Sequence, residues 1–436
     1  MIGSNKRQIL IGFLGAAALS ATLVTAQQTS PTCSFKAPKN PTTINVLGFR
    51  FPMMEYYFQA AEACGKVNNV SVKTSFLASD AYVTQVNTAL TSGSSPYQIL
   101  HVNPRLVADW GSKGWLVPLN TLILKYKKQY NLDDVADNLI NNATIQGIQY
   151  AIPVNFNTQL IFYRKDIFED LGLKAPKTLE EFNATLEVLK KSGKVKYPLA
   201  LAMGGAGVTG EFHNNLTSLG GKWFDRNGKP TFNSELGVKA AEALKSWIEF
   251  MPPSVLSFSN DDVMAGLQLG DVAMSKIWLT RAAPMEDTKV SKVVGKIAFA
   301  PAFSFNPGGK GAATAEGDML AIAAKSGVDP DLSFRVIMEV LNKENQLNAA
   351  KFGMVSRDAI ATDPDLIKAN RAWPAAATNA KIAGALRPAL PYQAIANTIV
   401  TKNLQQALAS KGDMKAALDL AAKQVEDEMR AQGFLK

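Results

Sequence analysis

A chain of 436 residues is longer than one hydrophobic core comfortably supports, so two domains are expected. Its 47% hydrophobic and 19% charged residues exclude a disordered chain, and beyond the N-terminus no run reaches about 18 apolar residues, which excludes a membrane-spanning body. The formal net charge of +9 raises the question of nucleic acid, but Lys125, Lys127, Lys128, Lys190, Lys191 and Lys194 read as solvated faces without an aromatic-interleaved basic stripe, which argues for no nucleic-acid partner.

Along the chain, Lys6 and Arg7 precede an apolar run over 9–23 and the small-residue site Val24-Thr25-Ala26, the pattern of a secretory signal peptide spanning 1–26. Its removal takes away two positive charges and leaves +7. Residues 27–41 form a polar, proline-punctuated leader. Cys33 and Cys64 are the only cysteines, and an exported address favours a disulfide tying the leader to the first helix, against two free thiols. Cys33 follows Ser30-Pro31-Thr32, well past the apolar run, which speaks for a soluble periplasmic protein rather than a lipoprotein.

The spacing predicts a strand over 43–47, a helix over 53–66, a helix capped by Asp80 running to about 90, a strand over 97–102 and a helix over 106–113. Residues 158–163 are a β-rich run, followed by a short helix from about 166 to 171 that Gly172 ends and Pro176 blocks. Thr178 and Glu181 form a capping box for the next helix. Beyond it come a strand over 198–203, helices from about 211 to 219, 236–250 and 263–270, and strands over 273–278, 296–300 and 319–323. A helix over 332–342 and two alanine-rich helices within 393–429, broken at Lys411-Gly412-Asp413, complete the chain. Such alternation argues α/β domains with a mostly parallel sheet, and no repeat of about 20 to 50 residues points to a solenoid or propeller.

The segment YAIPVNFNTQLIFYRKDIFEDLGLKAPKTLEEF, residues 150–182, resembles the first inter-lobe crossover of extracellular solute-binding proteins that feed carbohydrate ABC importers. ASDAYVTQVNTALTSGSSP, WGSKGWLVPLN, FNSELGVKAAEALKSWIEF, GLQLGDVAMSKIW and DPDLSFRVIMEVLNKENQ follow in the family's order, so the likeness covers nearly all of the exported chain. Tyr97-Gln98 and Ala315-Glu316-Gly317-Asp318 depart from its pattern near the cleft. The resemblance implies a two-lobed periplasmic-binding-protein fold, each lobe doubly wound and mostly parallel, with crossovers near 153–157, 314–318 and between 355 and 373. Lobe 1 would comprise 42–153 and about 318–356, lobe 2 154–317 and about 357–436. It also implies a monomeric receptor without catalysis or cofactor. Its partners would be a sugar or polyol, inner-membrane permease subunits and a separate ATPase chain.

Competing chemistries are poorly supported. Gly205-Ala206-Gly207-Val208-Thr209-Gly210 matches G-x-G-x-x-G by its letters, but the nearest carboxylate, Asp225, sits in a turn rather than at the end of the next strand. Every Gly-Lys pair lacks the following Ser or Thr of a P-loop. Two distant histidines, His101 and His213, offer neither a triad nor metal-ligand spacing. Glu211, Glu316 and Asp318 could approach one another as a glycosidase pair, which keeps a secreted carbohydrate-active enzyme as an alternative.

A sugar needs aromatic planes and fixed hydrogen-bonding groups on loops beyond strand ends. The candidates are Arg50, Phe51, Asn103, Asn155, Asn157, Phe212, His213, Trp278, Asp318 and Arg357. Trp278 stands where relatives often carry a stacking aromatic, its alternative being a core tryptophan. Asp318 could accept two hydroxyls or cap a hinge, and His213 could touch ligand or serve as a cap. Arg357 could bond hydroxyls, bind an acid or pair with Asp358; with Arg50 it keeps open a receptor for a sugar acid or phosphodiester.

Overall fold

Thr42–Phe49 (β1) is an interior strand of a first sheet, beside the edge strand Val70–Leu77 (β2), on which inward and outward side chains alternate. The computed structural model describes residues 30–387, 390 and 392–435, so the expected signal peptide lies outside the described residues. Val70, Val72, Thr74 and Phe76 face inward on β2 while Ser71, Lys73 and Ser75 are exposed, a half-polar strand that apolar content alone does not reveal. The helix Ser79–Thr91 has Ala78, not Asp80, at its N-cap position.

The first sheet has the order β2-β1-β3-β12-β6, with β3 at Ile99–Val102, β6 at Ala151–Pro153 and β12 at Met319–Ile322; β4 (Thr144–Ile145) and β5 (Ile148–Gln149) form a separate hairpin. The second runs β13-β11-β7-β9-β8, using β7 (Asn157–Arg164), β8 (Tyr197–Ala200), β9 (Val272–Trp278), β11 (Gly311–Glu316) and β13 (Ala383–Gly384). The strand β10 (Ile297–Ala300) also pairs with β7.

Both sheets are mixed, which corrects the expectation of mostly parallel ones. β1 pairs parallel with β2 and β3, and β8 with β9, but β12 is antiparallel to β3 and β6, and β7 is antiparallel to β9, β10 and β11. The antiparallel strands β7 and β12 arrive from the other sheet, so no returning helix sets their direction.

The chain passes between sheets from β6 to β7 and from β11 to β12, and Asn155 bridges Val355 where a third connection leads toward the helix Trp373–Ile382. The first two passages nearly touch: a Cβ on Gly317 would lie 2.2 Å from the Asn155 carbonyl oxygen, so only glycine fits. Behind them one apolar core runs from Ile44, Met54 and Val336 to Phe162, Ile277 and Ile297. Separate clusters cover the far faces, around Trp110 on the first sheet and around Phe212, Trp223 and Trp247 on the second.

Thr178 Oγ1 accepts the Glu181 backbone N–H at 3.2 Å, and the Glu181 carboxylate accepts the N–H of Lys177, one residue before the cap. The leader is anchored by a Cys33–Cys64 disulfide, by the Ser34 N–H donating to Glu339 and by Arg335 donating to the Lys36 carbonyl.

Candidate functional site

The C-terminal ends of β1, β3, β9 and β11, with the crossovers, enclose a cavity of about 410 Å³ between the two sheets, within the range of ligand pockets. Of the sequence candidates, Phe51, Asn103, Asn157, His213, Trp278 and Asp318 line it. Trp278 ends β9 only partly covered, whereas Trp110, Trp223 and Trp247 are wholly buried. Phe49 and Phe51 form a second aromatic patch, Phe49 lying 4.0 Å from the His101 ring.

Four candidates do not line the cavity. Arg50 points outward, its side chain 66% exposed, and pairs with Glu55 at 2.5 Å. Phe212 is fully buried edge-on to Trp223, because the helix carrying it begins at Ala206 and that register turns it into the core. Arg357 donates to the carbonyls of Tyr130, Asn131 and Leu341, so it staples three segments instead of meeting ligand or pairing with Asp358. Asn155 is fully buried beneath Asp318: its Nδ2 donates to Asp318 Oδ2 at 3.0 Å and its Oδ1 accepts the Asp318 N–H at 2.7 Å.

Asp318 is further held by His101, whose Nε2 lies 2.9 Å from Oδ1. The carboxylate therefore has both oxygens oriented from below while one face borders the cavity. Asn103 lines the wall and caps the helix Pro104–Ser112, accepting the Leu106 N–H. His213 holds structure: the Trp223 indole N–H donates to its Nδ1 at 2.9 Å, and Nε2–H reaches the Ala385 carbonyl at 2.9 Å. Burial, with Arg387 nearby, keeps its pKa well below the usual imidazole value, so the ring is neutral and clamps the segment carrying Arg387.

Several lining residues lie outside the sequence candidates: Arg105, Asp109, Gln159, Asn214, Arg281 and Arg387, together with Glu211, weighed only as a catalytic carboxyl, and Glu316, weighed as a catalytic carboxyl and placed near the cleft. The buried pair Glu211–Lys276, at 2.7 Å, lies under the second-sheet wall, and Lys276 also donates to the Ala312 carbonyl. Gln159 was detectable, because it shares a face of β7 with Asn157 two residues away.

Several charges around the cavity are paired. Arg281 pairs with Asp261 at 3.0 Å, and Asp109 with Lys113 at 2.7 Å. Burial and the neighbouring Asp318 push the Glu316 carboxyl up to about 7, while Arg387 and Arg105 oppose the rise. Burial and the like charge of Arg105 bring Arg387 down to about 10. Three polar atoms of lining residues, Asn157 Oδ1, Gln393 Oε1 and Asn397 Nδ2, are buried with no hydrogen-bond partner among the described residues. Neutral hydroxyls would satisfy them.

The G-x-G letters serve packing. Gly205 sits at φ +48° ahead of the helix Ala206–Ser218, and a Cβ on Gly207 would fall 2.4 Å from the Ala202 carbonyl oxygen, so the pair lets the helix start hard against the end of β8. Among the described residues no His, Cys, Asp or Glu cluster could hold a metal, and no helix is long and apolar enough to cross a membrane.

A family model described as bacterial extracellular solute-binding protein matches residues 54–346. A mannitol-binding protein of Pseudomonas aeruginosa is 27% identical over 269 residues, 59% of this chain and 59% of that protein, so the match spans about three-fifths of the relative's length. Among solved structures, an ABC transporter solute-binding protein of Agrobacterium radiobacter K84 in complex with ribitol superposes with a TM-score of 0.82 at 22% identity, over 90% of this chain and all of that one. One from Agrobacterium vitis S4 with bound D-mannitol gives 0.79 at 24% identity, again over 90% of this chain and all of that one. The shared architecture is the periplasmic-binding-protein fold.

Proposed function

This chain belongs to the bacterial extracellular solute-binding proteins, and on that premise we propose that its cleft captures a neutral polyol or sugar and hands it to a membrane importer. The observation that carries the reading is the cavity itself. Several of its charged side chains are paired within the protein, Arg281 with Asp261, Asp109 with Lys113 and Glu211 with Lys276, its orphaned polar atoms ask for hydroxyl groups, and Trp278 supplies an apolar plane for ligand C–H groups. Relatives named for mannitol and ribitol support an acyclic polyol as the first ligand to try.

In this reading the residues on either side of the crossovers form two lobes that close on ligand by hinge motion, contacts from both lobes favouring the closed state. The protein acts outside the cytoplasm after export through residues 1–26, as a monomer without a lipid anchor. Permease subunits receive the ligand and a separate chain hydrolyses ATP. Catalysis is disfavoured: Glu211 is committed to Lys276, and Asp318 to His101 and Asn155, which leaves no free acid–base pair between them.

A thermal-shift screen over D-mannitol, ribitol, maltose and matched sugar acids tests this, because a ligand stabilises by RT ln(1 + [L]/Kd). The expected result is a concentration-dependent rise with a neutral polyol or sugar, which is recovered unchanged after incubation. No shift with any neutral probe, or conversion of the probe, defeats the reading.

A further inference from the structure

Beneath the second-sheet wall runs a chain of polar contacts in which each donor fixes the next. Lys276 has only donors; its Nζ sits 2.7 Å from Glu211 Oε2, and the pair is almost fully buried. An ionised Glu211 has only acceptors, so Gln159 must turn its Nε2 toward Oε1, at 3.4 Å. Gln159 Oε1 is thereby aimed at Asn214, whose Nδ2 donates to it at 2.6 Å. What remains at the end of the chain is Asn214 Oδ1, an acceptor that none of these contacts uses, on a residue of the cavity wall. Asn157 Oδ1, on the same face of β7 as Gln159, is a second such acceptor.

We infer that Lys276, which does not itself line the cavity, is a positioning residue that sets the polarity of this wall: acting through Glu211, Gln159 and Asn214, it makes the wall present amide oxygens and so selects a ligand that donates hydroxyl hydrogens over one that brings oxyanions. Amide oxygen and nitrogen follow from the network around them, so a change of proton at Glu211 reverses every later link. A protonated Glu211 can donate to Gln159 Oε1, which turns Gln159 Nε2 toward Asn214 and leaves an Asn214 N–H facing the ligand. Burial raises the Glu211 pKa and Lys276 opposes that rise. The other titratable or charged groups facing this site are His213, two residues along the same helix and held neutral, Glu316, which ends the packed strand β11 with its carboxyl pushed up to about 7 in wild type and variants alike, and Arg387, whose guanidinium lies against Gly210.

The proposal rests on the polyhydroxyl reading above and deepens it. It is tested by calorimetry from pH 5.5 to 8.5 (about neutral on either side) with whichever of D-mannitol, ribitol or maltose binds the wild type most tightly. Lys276→Met is expected to bind that probe roughly ten- to a hundredfold more weakly at low pH. The loss, taken against the wild type's own profile, should shrink as pH rises, because the unpaired Glu211 must then ionise unaided. Lys276→Arg should restore both affinity and profile. The double variant K276M/E211M, which buries no unpaired charge and removes the acceptor that orients Gln159, should bind weakly with no added pH dependence. A folded K276M with wild-type affinity at every pH overturns the proposal, as does failure of K276R to bind better than K276M. If K276M does not fold, wild-type affinity in the folded double variant overturns it. A wild type that binds none of the three probes instead defeats the polyhydroxyl reading, before any substitution is made.

Discussion

Glu211 and Glu316 border the same cavity in opposite electrostatic situations. Glu211 sits in the second-sheet wall with Lys276 at 2.7 Å, both side chains nearly inaccessible. Glu316 sits at the passage from β11 to β12, beside the like charge of Asp318, with only the partial compensation of Arg387 and Arg105, and its carboxyl is pushed up to about 7. The contrast teaches that the wall is built to hold one protonation state while the crossover titrates near neutrality. Burial is common to both; the difference lies in whether an opposite charge was buried with the carboxylate.

Breaking the wall pair from one side should produce the largest effect. Glu211→Ala leaves Lys276 a buried charge with no counter-charge, held only by the Ala312 carbonyl, and should cost about 3–5 kcal/mol in urea unfolding, whereas replacing both members by apolar residues should recover much of it. If E211A is as stable as wild type, the pair is not the buried unit described.

Glu316→Gln probes the other side. Because the folded-state value of about 7 stands above the ordinary 4.5, the folded protein holds this proton more tightly than the unfolded chain. Wild-type stability contributed by this group is therefore present below pH 4.5 and is lost as pH rises through about 7. Relative to E316Q, the ligand-free wild type should lose at most about 3 kcal/mol across that window. Parallel stability curves for the two proteins between those limits would show that Glu316 ionises normally.

Trp278→Ala removes the apolar plane without opening the core and should weaken affinity by about 1–3 kcal/mol, with ligand-induced quenching of tryptophan fluorescence reduced. If the substitution unfolds the protein and leaves affinity in the folded fraction unchanged, Trp278 is a core residue. Smallest of all, Arg50→Ala breaks an exposed pair and should alter stability by no more than about 0.5 kcal/mol, leaving affinity untouched. A clear loss of affinity would return Arg50 to the site.

What the sequence made legible follows the same division between local and long-range information. The strand–helix alternation, the capped helix after Pro176 and the partly open Trp278 at a strand end are encoded locally, in periodicity and turn chemistry. β11 was missed because Gly311–Glu316 is built from small residues with no β-branched signature beyond Thr314, and β2 because half its positions are polar. Phe212 was misplaced because the helix was expected to begin only at about residue 211; it begins at Ala206, which buries Phe212 and turns Glu211 toward Lys276. Arg357 and Asn155 carry the residue types of a binding site, yet their partners are backbone carbonyls and a neighbouring carboxylate distant in sequence. Arg387 reaches the cavity because β13 pairs with β11 and His213 clamps Ala385, the latter a contact across 172 residues that no local pattern announces.

The central claim is that a cleft with several of its charges paired internally, and with orphaned amide atoms on its wall, suits an uncharged polyhydroxyl ligand. Titration calorimetry with D-mannitol or ribitol and with their corresponding sugar acids, at low and high salt, addresses it most directly. A neutral ligand held by hydrogen bonds and stacking should bind one to one with nearly the same affinity at both ionic strengths, and the acids should bind far more weakly. Tighter binding of the acids, with a steep loss of affinity as salt rises, would contradict the account and hand the cavity to Arg105 and Arg387 as an anion site.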